Sequence, residues 1–186
     1  MNDHPQETPM TPPAPTADAV PAIHLQNILV PVDFSSSSQK ALTYAVAFAR
    51  QFGAKLLVLH VVEIPYLGGY GEMETPPLQD DLETAAREHI AQLVQTQVGG
   101  AAPATTQVRL GQPWYEITQT AQETGADLII VATHGYTGLK HILLGSTAER
   151  VVRHAPCPVL VMREREREFV ETPAAPTDNP PAPPAG

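Results

Sequence analysis

The chain is poor in cysteine and in positive charge. Its only cysteine is Cys157, which excludes an intrachain disulfide and any zinc site built from several cysteines. Lysine and arginine together number 11 against 20 aspartates and glutamates, so the net charge is −9. General binding to nucleic acid or to anionic membranes needs a basic surface. We therefore expect neither kind of partner.

Long hydrophobic runs and common catalytic motifs are also missing. No apolar stretch approaches the roughly 20 residues of a membrane-spanning helix. The first residues have neither the basic region nor the apolar stretch of a secretory signal, so the expected location is cytoplasmic. The phosphate-loop, dinucleotide, zinc-protease and serine-hydrolase motifs are all absent. The candidate residues that remain are concentrated in two places, each at the end of a predicted strand.

Proline is concentrated at the two ends of the chain. Of the 20 prolines, six lie in residues 1–26 and six in residues 163–186. Both segments contain few large apolar side chains, so they cannot bury enough surface to offset the entropy of ordering them. We expect a disordered proline-rich tail over 1–26, one folded domain over 27–162, and a charged and then proline-rich disordered tail over 163–186.

The central segment alternates short apolar runs with helical patterns. Three of the runs are nearly continuous in valine, isoleucine and leucine, which is typical of strands covered on both faces. Between the runs, apolar residues recur at intervals of three and four, which predicts four helices. The five predicted strands lie at residues 27–32, 55–62, 105–110, 127–132 and 157–162.

This β-α-β-α-β-α-β-α-β order predicts an α/β fold with a single doubly wound five-stranded parallel sheet and helices on both faces. Two strand orders are common for such sheets, 2-1-3-4-5 and 3-2-1-4-5, and we expect the second. Its winding reverses between strands one and four, and ligands bind outside the carboxyl ends of the strands at such a point. The connection 63–77 is either a mobile lid or a solvated loop.

Asp33 follows the first predicted strand and should lie at this crevice. Its carboxylate can accept hydrogen bonds from a ribose hydroxyl or an exocyclic amine. In the alternative interpretation it is a turn residue that caps the local backbone. Because Ser36 and Gln39 resemble a capping box, the following helix does not need Asp33, which favours the ligand role.

The connection between strand four and helix four carries the second group of candidates. Gly135 and Gly138 allow close approach of the backbone to a ligand. Residues 145–147 place amides and hydroxyls at a helix N-terminus, where the partial positive charge suits an anion. Ser146 and Glu149 also form a capping box, which requires no ligand.

The other reactive side chains predict no further site. The histidines have no carboxylate or cysteine at ligand spacing, so we expect no metal site. Cys157 lies between two prolines and is expected to be a small buried packing residue. Trp114, near the start of a predicted helix, is expected in the core.

Taken together, these features resemble the universal stress protein family over residues 27–162. Nucleotide-binding members carry the signature G-x-x-G, nine residues, then G-[ST]. This chain fits it at every place but the first, where alanine replaces glycine. The residues that carry the resemblance are Pro31, Val32, Asp33, His60, Ala132, Gly135, Gly145, Ser146 and the run 154–161.

The resemblance implies a site for an adenine nucleotide, ATP, alone or with Mg²⁺. Phosphates would lie on Gly135, Gly145, Ser146, Thr147 and Ala148. The adenosine end would meet Asp33, with Val32 and Leu56 nearby. The walls would be Pro31, Val131, Ala132, Thr133 and His134, and Gly138 completes the candidate loop.

The resemblance also implies a cytoplasmic stress-response protein that signals through conformation as a homodimer formed by strand 157–162. Any chemistry would be at most slow ATP hydrolysis, because Asp33 is the only candidate base and is expected far from the terminal phosphate. One alternative is a nucleotide-free stress protein, its loop narrowed by Ala132, that acts only through protein–protein contacts. Another is an enzyme that cleaves an adenylate, which would need a second pocket.

Overall fold

The computed structural model of the chain describes residues 22–63, 76–133, 145–163 and 167–170. Three predicted site residues, His134, Gly135 and Gly138, lie outside the described residues. So do nearly all of the predicted lid and most of both predicted tails.

Five strands alternate with four helices in the described chain. The first strand begins at Asn27 and the last ends at Met162. In chain order the elements are β1 (Asn27–Pro31), α1 (Ser36–Phe52), β2 (Lys55–Val62), α2 (Pro76–Gln97), β3 (Ala104–Leu110), α3 (Pro113–Thr124), β4 (Leu128–Ala132), α4 (Ser146–His154) and β5 (Val159–Met162).

The strands form one parallel sheet in the order β3-β2-β1-β4-β5, which confirms the predicted fold class and strand order. Val30 of β1 is in register with Val58 of β2, and Leu29 of β1 is in register with Ile129 of β4. Because β1 has β2 on one side and β4 on the other, the winding reverses between β1 and β4, as predicted. The carboxyl ends of these two strands therefore border the expected crevice.

Alternate side chains of β1 pack into two separate hydrophobic cores, one on each face of the sheet. Ile28 and Val30 pack with α1 and α2 on one face, whereas Leu29 packs with α3 and α4 on the other. All three side chains are at most 1% exposed. This alternation explains the nearly continuous apolar run, since a strand covered on both faces needs an apolar side chain at every position.

The ends of α1 follow from local chemistry. Gly53 adopts a left-handed conformation with φ of 69°, and its amide donates to the Ala49 carbonyl, so the helix ends there. The predicted N-terminal capping box of Ser36 and Gln39 is wrong by one residue. The cap is Ser35, whose hydroxyl accepts from the Ser38 amide at 3.2 Å.

Two strand boundaries also differ from the prediction, and a proline lies at each of them. β5 begins at Val159, directly after Pro158, and β1 ends at Pro31. Proline has no amide hydrogen to donate to the ladder, so it is suited to the end of a strand rather than to its middle. Cys157 therefore lies before β5, half-buried against the core that α3 and α4 share with the sheet.

The segment Arg167–Val170 returns from the sheet to α1, and we call it the strap. The strap amide of Phe169 donates to the Tyr44 hydroxyl at 3.3 Å, and the two rings meet edge to face with centroids 5.0 Å apart. Glu168 forms an ion pair of 3.1 Å with Lys40. The strap thus lies against α1, within the span that the sequence assigned to a disordered tail.

Within the described ranges, no helix is both long enough and apolar enough to cross a membrane. The same residues include no group of three or more histidine, cysteine, aspartate or glutamate side chains arranged to hold a metal ion.

Candidate functional site

A cavity of about 350 Å³ opens at the carboxyl ends of β1 and β4. Its size falls within the range of small-molecule sites. The structure brings together ten of the predicted site residues in its lining. They are Pro31, Val32, Asp33, Val131, Ala132, Thr133, Gly145, Ser146, Thr147 and Ala148.

Leu56 does not belong to this group. It lies near the start of β2 in register with Ile28, is 1% exposed, and packs in the core that faces α1 and α2. Its position at the opposite end of the strand from the cavity gives it no surface to offer a ligand there. The prediction that Leu56 lies beside the adenosine end of the ligand is therefore wrong, and Leu56 takes no part in the site proposed below.

The lining also contains residues that sequence reasoning missed. Leu59 and Val61 come from the carboxyl half of β2, and Ile117 comes from α3. The alternation of side chains along β2 carries a signal for the first two, because they share a face with Leu57. Ile117 carries no comparable signal, since its place depends on how α3 crosses the sheet.

Asp33 is held by a local network at the start of α1. Its carboxylate oxygen Oδ1 accepts from the Ser35 hydroxyl at 2.6 Å and from the Ser35 amide at 3.1 Å. The Asp33 amide in turn donates to the Ser38 hydroxyl oxygen at 3.3 Å. The turn role weighed for Asp33 is therefore present. It also orients the carboxylate, whose position on the cavity wall is fixed by these contacts.

Phe34 occupies a strained position beside Asp33. It has φ of 64°, the one positive value among the described residues other than glycine. Its ring lies between two imidazoles, with centroids 4.4 Å from His60 and 4.2 Å from His89. His60 donates from Nδ1 to the Val32 carbonyl at 2.8 Å. These contacts hold the strand-to-helix turn and so position Asp33.

The N-terminus of α4 opens into the cavity without a side-chain cap. Gly145 is the N-cap residue, and no side chain caps the described helix. The predicted capping box of Ser146 and Glu149 is wrong, because Ser146 is the first residue inside the helix and the Glu149 carboxylate pairs with Arg153 at 2.8 Å. Among the described residues, therefore, no side chain competes with a ligand for the first amides of α4.

One predicted amide is already occupied. The Gly145 amide donates to the Thr133 carbonyl at 2.7 Å, which joins the two ends of the connection between β4 and α4. Thr133 is 3% exposed, and its own amide donates to the Met162 carbonyl at 2.8 Å. The amides of Ser146, Thr147 and Ala148, which have no partner within the helix itself, are the donors that remain for an anion.

Ala132, which replaces the first glycine of the family signature, has ordinary strand geometry. It is the last residue of β4, in register with Met162, and its φ is not positive. Alanine therefore causes no backbone strain at this position. Its methyl group, half-buried on the cavity wall, is the whole difference from glycine.

Cys157 does not line the cavity, and its thiol has low reactivity. Burial raises the pKa of its thiol, and the nearby Asp127 carboxylate raises it further. A raised pKa lowers the fraction of thiolate, which is the nucleophilic form. The structure therefore agrees with a packing role for Cys157.

The model of the universal stress protein family matches residues 24–163. A universal stress protein from Methanocaldococcus jannaschii is 33% identical over 144 residues, covering 77% of this chain and 85% of its own length. The solved structure of UspA, a universal stress protein from Lactobacillus plantarum, superposes with a TM-score of 0.67 at 32% identity, covering 76% of this chain and all of its own.

More distant structures of the same family contain bound nucleotides. A universal stress protein from Archaeoglobus fulgidus in complex with dAMP superposes with a TM-score of 0.53 at 21% identity, covering 76% of this chain and 99% of its own. A universal stress protein in complex with cAMP superposes with a TM-score of 0.55 at 23% identity, covering 76% of this chain and 98% of its own. At these identities the likeness concerns the fold.

Proposed function

The chain belongs to the universal stress protein family, and on that premise we propose that it binds an adenine nucleotide, ATP, in the cavity between β1 and β4. The observation that carries the proposal is the uncapped N-terminus of α4, which opens into this cavity. Helix amides that have no internal partner, with the positive end of the helix dipole, form a ready site for phosphate. The distant relatives that bind dAMP and cAMP support an adenine nucleotide as the class of ligand.

The two ends of the ligand would meet different chemistry. The Asp33 carboxylate can accept hydrogen bonds from ribose hydroxyls or from the exocyclic amine of adenine. Apolar side chains such as Val32 and Val131, both at most 5% exposed, flank it. The amides of Ser146, Thr147 and Ala148 would hold the phosphates. The ligand would thus run from the end of β1 to the start of α4.

The main-chain part of this proposal can be tested without removing a charged side chain. Proline is tolerated at the first position of a helix because the amide it removes has no helical partner. Gly145, with φ of −64° and ψ of 150°, already has the conformation that the residue before a proline prefers. Ser146→Pro therefore removes one amide from the cradle while the helix remains intact.

The experiment is isothermal titration with ATP and Mg²⁺ of the wild type, Ser146→Pro and Ser146→Ala. We expect saturable binding by the wild type, at least tenfold weaker binding by Ser146→Pro, and a smaller loss for Ser146→Ala, which keeps the amide. Thermal unfolding of the three proteins serves as the control for folding. If the wild type shows no saturable binding, the nucleotide proposal is wrong and a role through protein–protein contacts alone takes its place.

We further propose that the protein acts as a cytoplasmic homodimer that signals through conformation. β5 is the edge of the sheet beside β4, and three of its four residues are only half-buried. Pairing of this edge with the same edge of a second copy would cover it by a two-fold contact. Sedimentation equilibrium over a hundredfold concentration range tests the state directly. A single species at the monomer mass of 20.0 kDa would contradict the dimer.

A further inference from the structure

A smaller depression of about 210 Å³ adjoins the nucleotide cavity. The two share Glu63, Pro113, Ser146 and Thr147 in their linings, so both open on the first turn of α4. Arg150, one turn further along α4, lines only the depression. A ligand held on the first amides of α4 can therefore continue from the cavity toward Arg150.

Arg150 is positioned by Trp114. Its guanidinium carbon lies 5.8 Å from the centroid of the indole ring, a distance suited to a cation–π contact. The indole is itself oriented, because its N–H donates to the side-chain oxygen of Gln112 at 3.1 Å and its ring meets His154 at 5.1 Å. The exposed guanidinium is thus held beside the depression.

The charges around the two hollows are unequal. Among the described residues that line either one, Arg150 is the only basic side chain, whereas Asp33 and Glu63 are acidic. The amides of α4 offer partial charges, which suit one or two phosphates. Each further phosphate adds negative charge, and among the described lining residues only Arg150 has a full positive charge to balance it.

We propose that Arg150 makes the site prefer a nucleoside triphosphate to the corresponding monophosphate or nucleoside. This inference rests on the proposed function, since it assumes that the adenosine end lies near Asp33. The amides of α4 bind the first phosphates, and the distal phosphates reach the depression, where the guanidinium donates to them. Arginine suits this task because its planar fork of donors matches phosphate oxygens.

The same arrangement supplies an optical signal. Trp114 is the only tryptophan in the chain. When the guanidinium turns toward phosphate oxygens, the cation over the indole moves and the environment of the ring changes. We expect ATP to alter the tryptophan emission strongly, ADP less, and adenosine hardly at all.

The test compares Arg150→Gln with Arg153→Gln. Arg153 lies on the same helix, is exposed, and lines neither hollow, so its removal makes the same change in net charge away from the site. A third variant, Arg150→Lys, keeps the positive charge but lacks the planar set of donors of the guanidinium. Affinities for ATP, ADP, AMP and adenosine are measured by calorimetry, and the emission of Trp114 is followed in the same titrations.

For Arg150→Gln we expect about a tenfold loss of ATP affinity, AMP and adenosine affinities within twofold of the wild type, and loss of the ATP-specific change in emission. The ATP affinity of Arg150→Lys should fall between those of the wild type and Arg150→Gln, and the ATP affinity of Arg153→Gln should match that of the wild type. Equal losses in the two glutamine variants would overturn the inference, as would unchanged preference for ATP in Arg150→Gln while the wild type still binds nucleotide. A wild type that binds no adenine nucleotide would instead overturn the proposed function, and this inference with it.

Discussion

The amide of Gly145 donates a hydrogen bond of 2.7 Å to the carbonyl oxygen of Thr133. This bond joins the end of β4 to the start of α4 and sets the position at which the helix begins. It also removes the Gly145 amide from the donors that could hold phosphate. The cradle proposed here therefore consists of the next three amides, and Gly145 shapes it as the N-cap residue.

Gly145→Asp should stabilise the protein and abolish nucleotide binding. The backbone of Gly145 has the extended conformation of an N-cap, so an aspartate there can accept from the amides of Thr147 or Ala148. We expect a gain of about 0.5 kcal/mol in the free energy of unfolding from the cap and the helix dipole. The same carboxylate occupies the cradle and repels phosphate.

Urea unfolding and ATP titration of Gly145→Asp and Gly145→Ala separate the two effects. The alanine variant lacks a cap, so it should be no more stable than the wild type and should retain binding. Binding of ATP by the aspartate variant at wild-type affinity would show that phosphate lies elsewhere.

The strain at Phe34 can be measured by comparing alanine with glycine. Both substitutions delete the ring between His60 and His89, but only glycine adopts a φ of 64° without cost. We expect Phe34→Gly to be more stable than Phe34→Ala by about 1 kcal/mol. At Phe48, inside α1, the order should reverse, because alanine favours the helix by about 1 kcal/mol. Chemical unfolding of the four variants gives both differences, and the same order at both positions would contradict the assigned strain.

Removal of the strap should destabilise the domain. A chain ending at residue 166 loses the edge-to-face contact of Phe169 with Tyr44, the hydrogen bond to the Tyr44 hydroxyl and the packing of Val170. We expect a loss of about 1–2 kcal/mol in the free energy of unfolding. A chain ending at residue 170, which keeps the strap and removes only the segment after it, is the matched control. If the two truncated chains unfold at the same urea concentration, the strap does not contribute.

Cys157 should be slow to alkylate in the folded protein. Because burial raises the pKa of its thiol, native protein should reach half-maximal alkylation rate at a higher pH than the same protein in urea. The stability that this protonated thiol contributes is complete below the ordinary thiol pKa of about 8.5 and decreases as pH rises beyond it. Since the chain has no other cysteine, the label reports this site alone. Equal rates at each pH in native and unfolded protein would contradict the shift.

The sheet could be predicted closely because its signal is local. In β1, a run of apolar residues from Ile28 to Val30 serves two cores, and this continuity identified a strand covered on both faces. Turn residues such as Gly53 then marked where the helix ended. The alternation of elements and the handedness of their connections predicted a doubly wound parallel sheet but left two strand orders open, of which the structure has 3-2-1-4-5, with its crevice between β1 and β4.

The site was less predictable where it depended on the family resemblance or on helix ends. The resemblance assigned Leu56 to the ligand, although the predicted strand 55–62 already placed this residue at the start of β2. The caps at Ser35 and Gly145 were each displaced by one residue. A pattern such as S-x-x-E does not reveal whether its serine precedes the helix or lies within it.

The bond between Gly145 and Thr133 has a consequence for how this domain can change over evolution. It closes the connection at its base, so the end of β4 and the start of α4 are joined directly by a main-chain hydrogen bond. We expect insertions, deletions and exchanges between these two residues to leave the junction in place. Selection can therefore alter the reach and chemistry of the segment between them while the α/β scaffold is inherited unchanged.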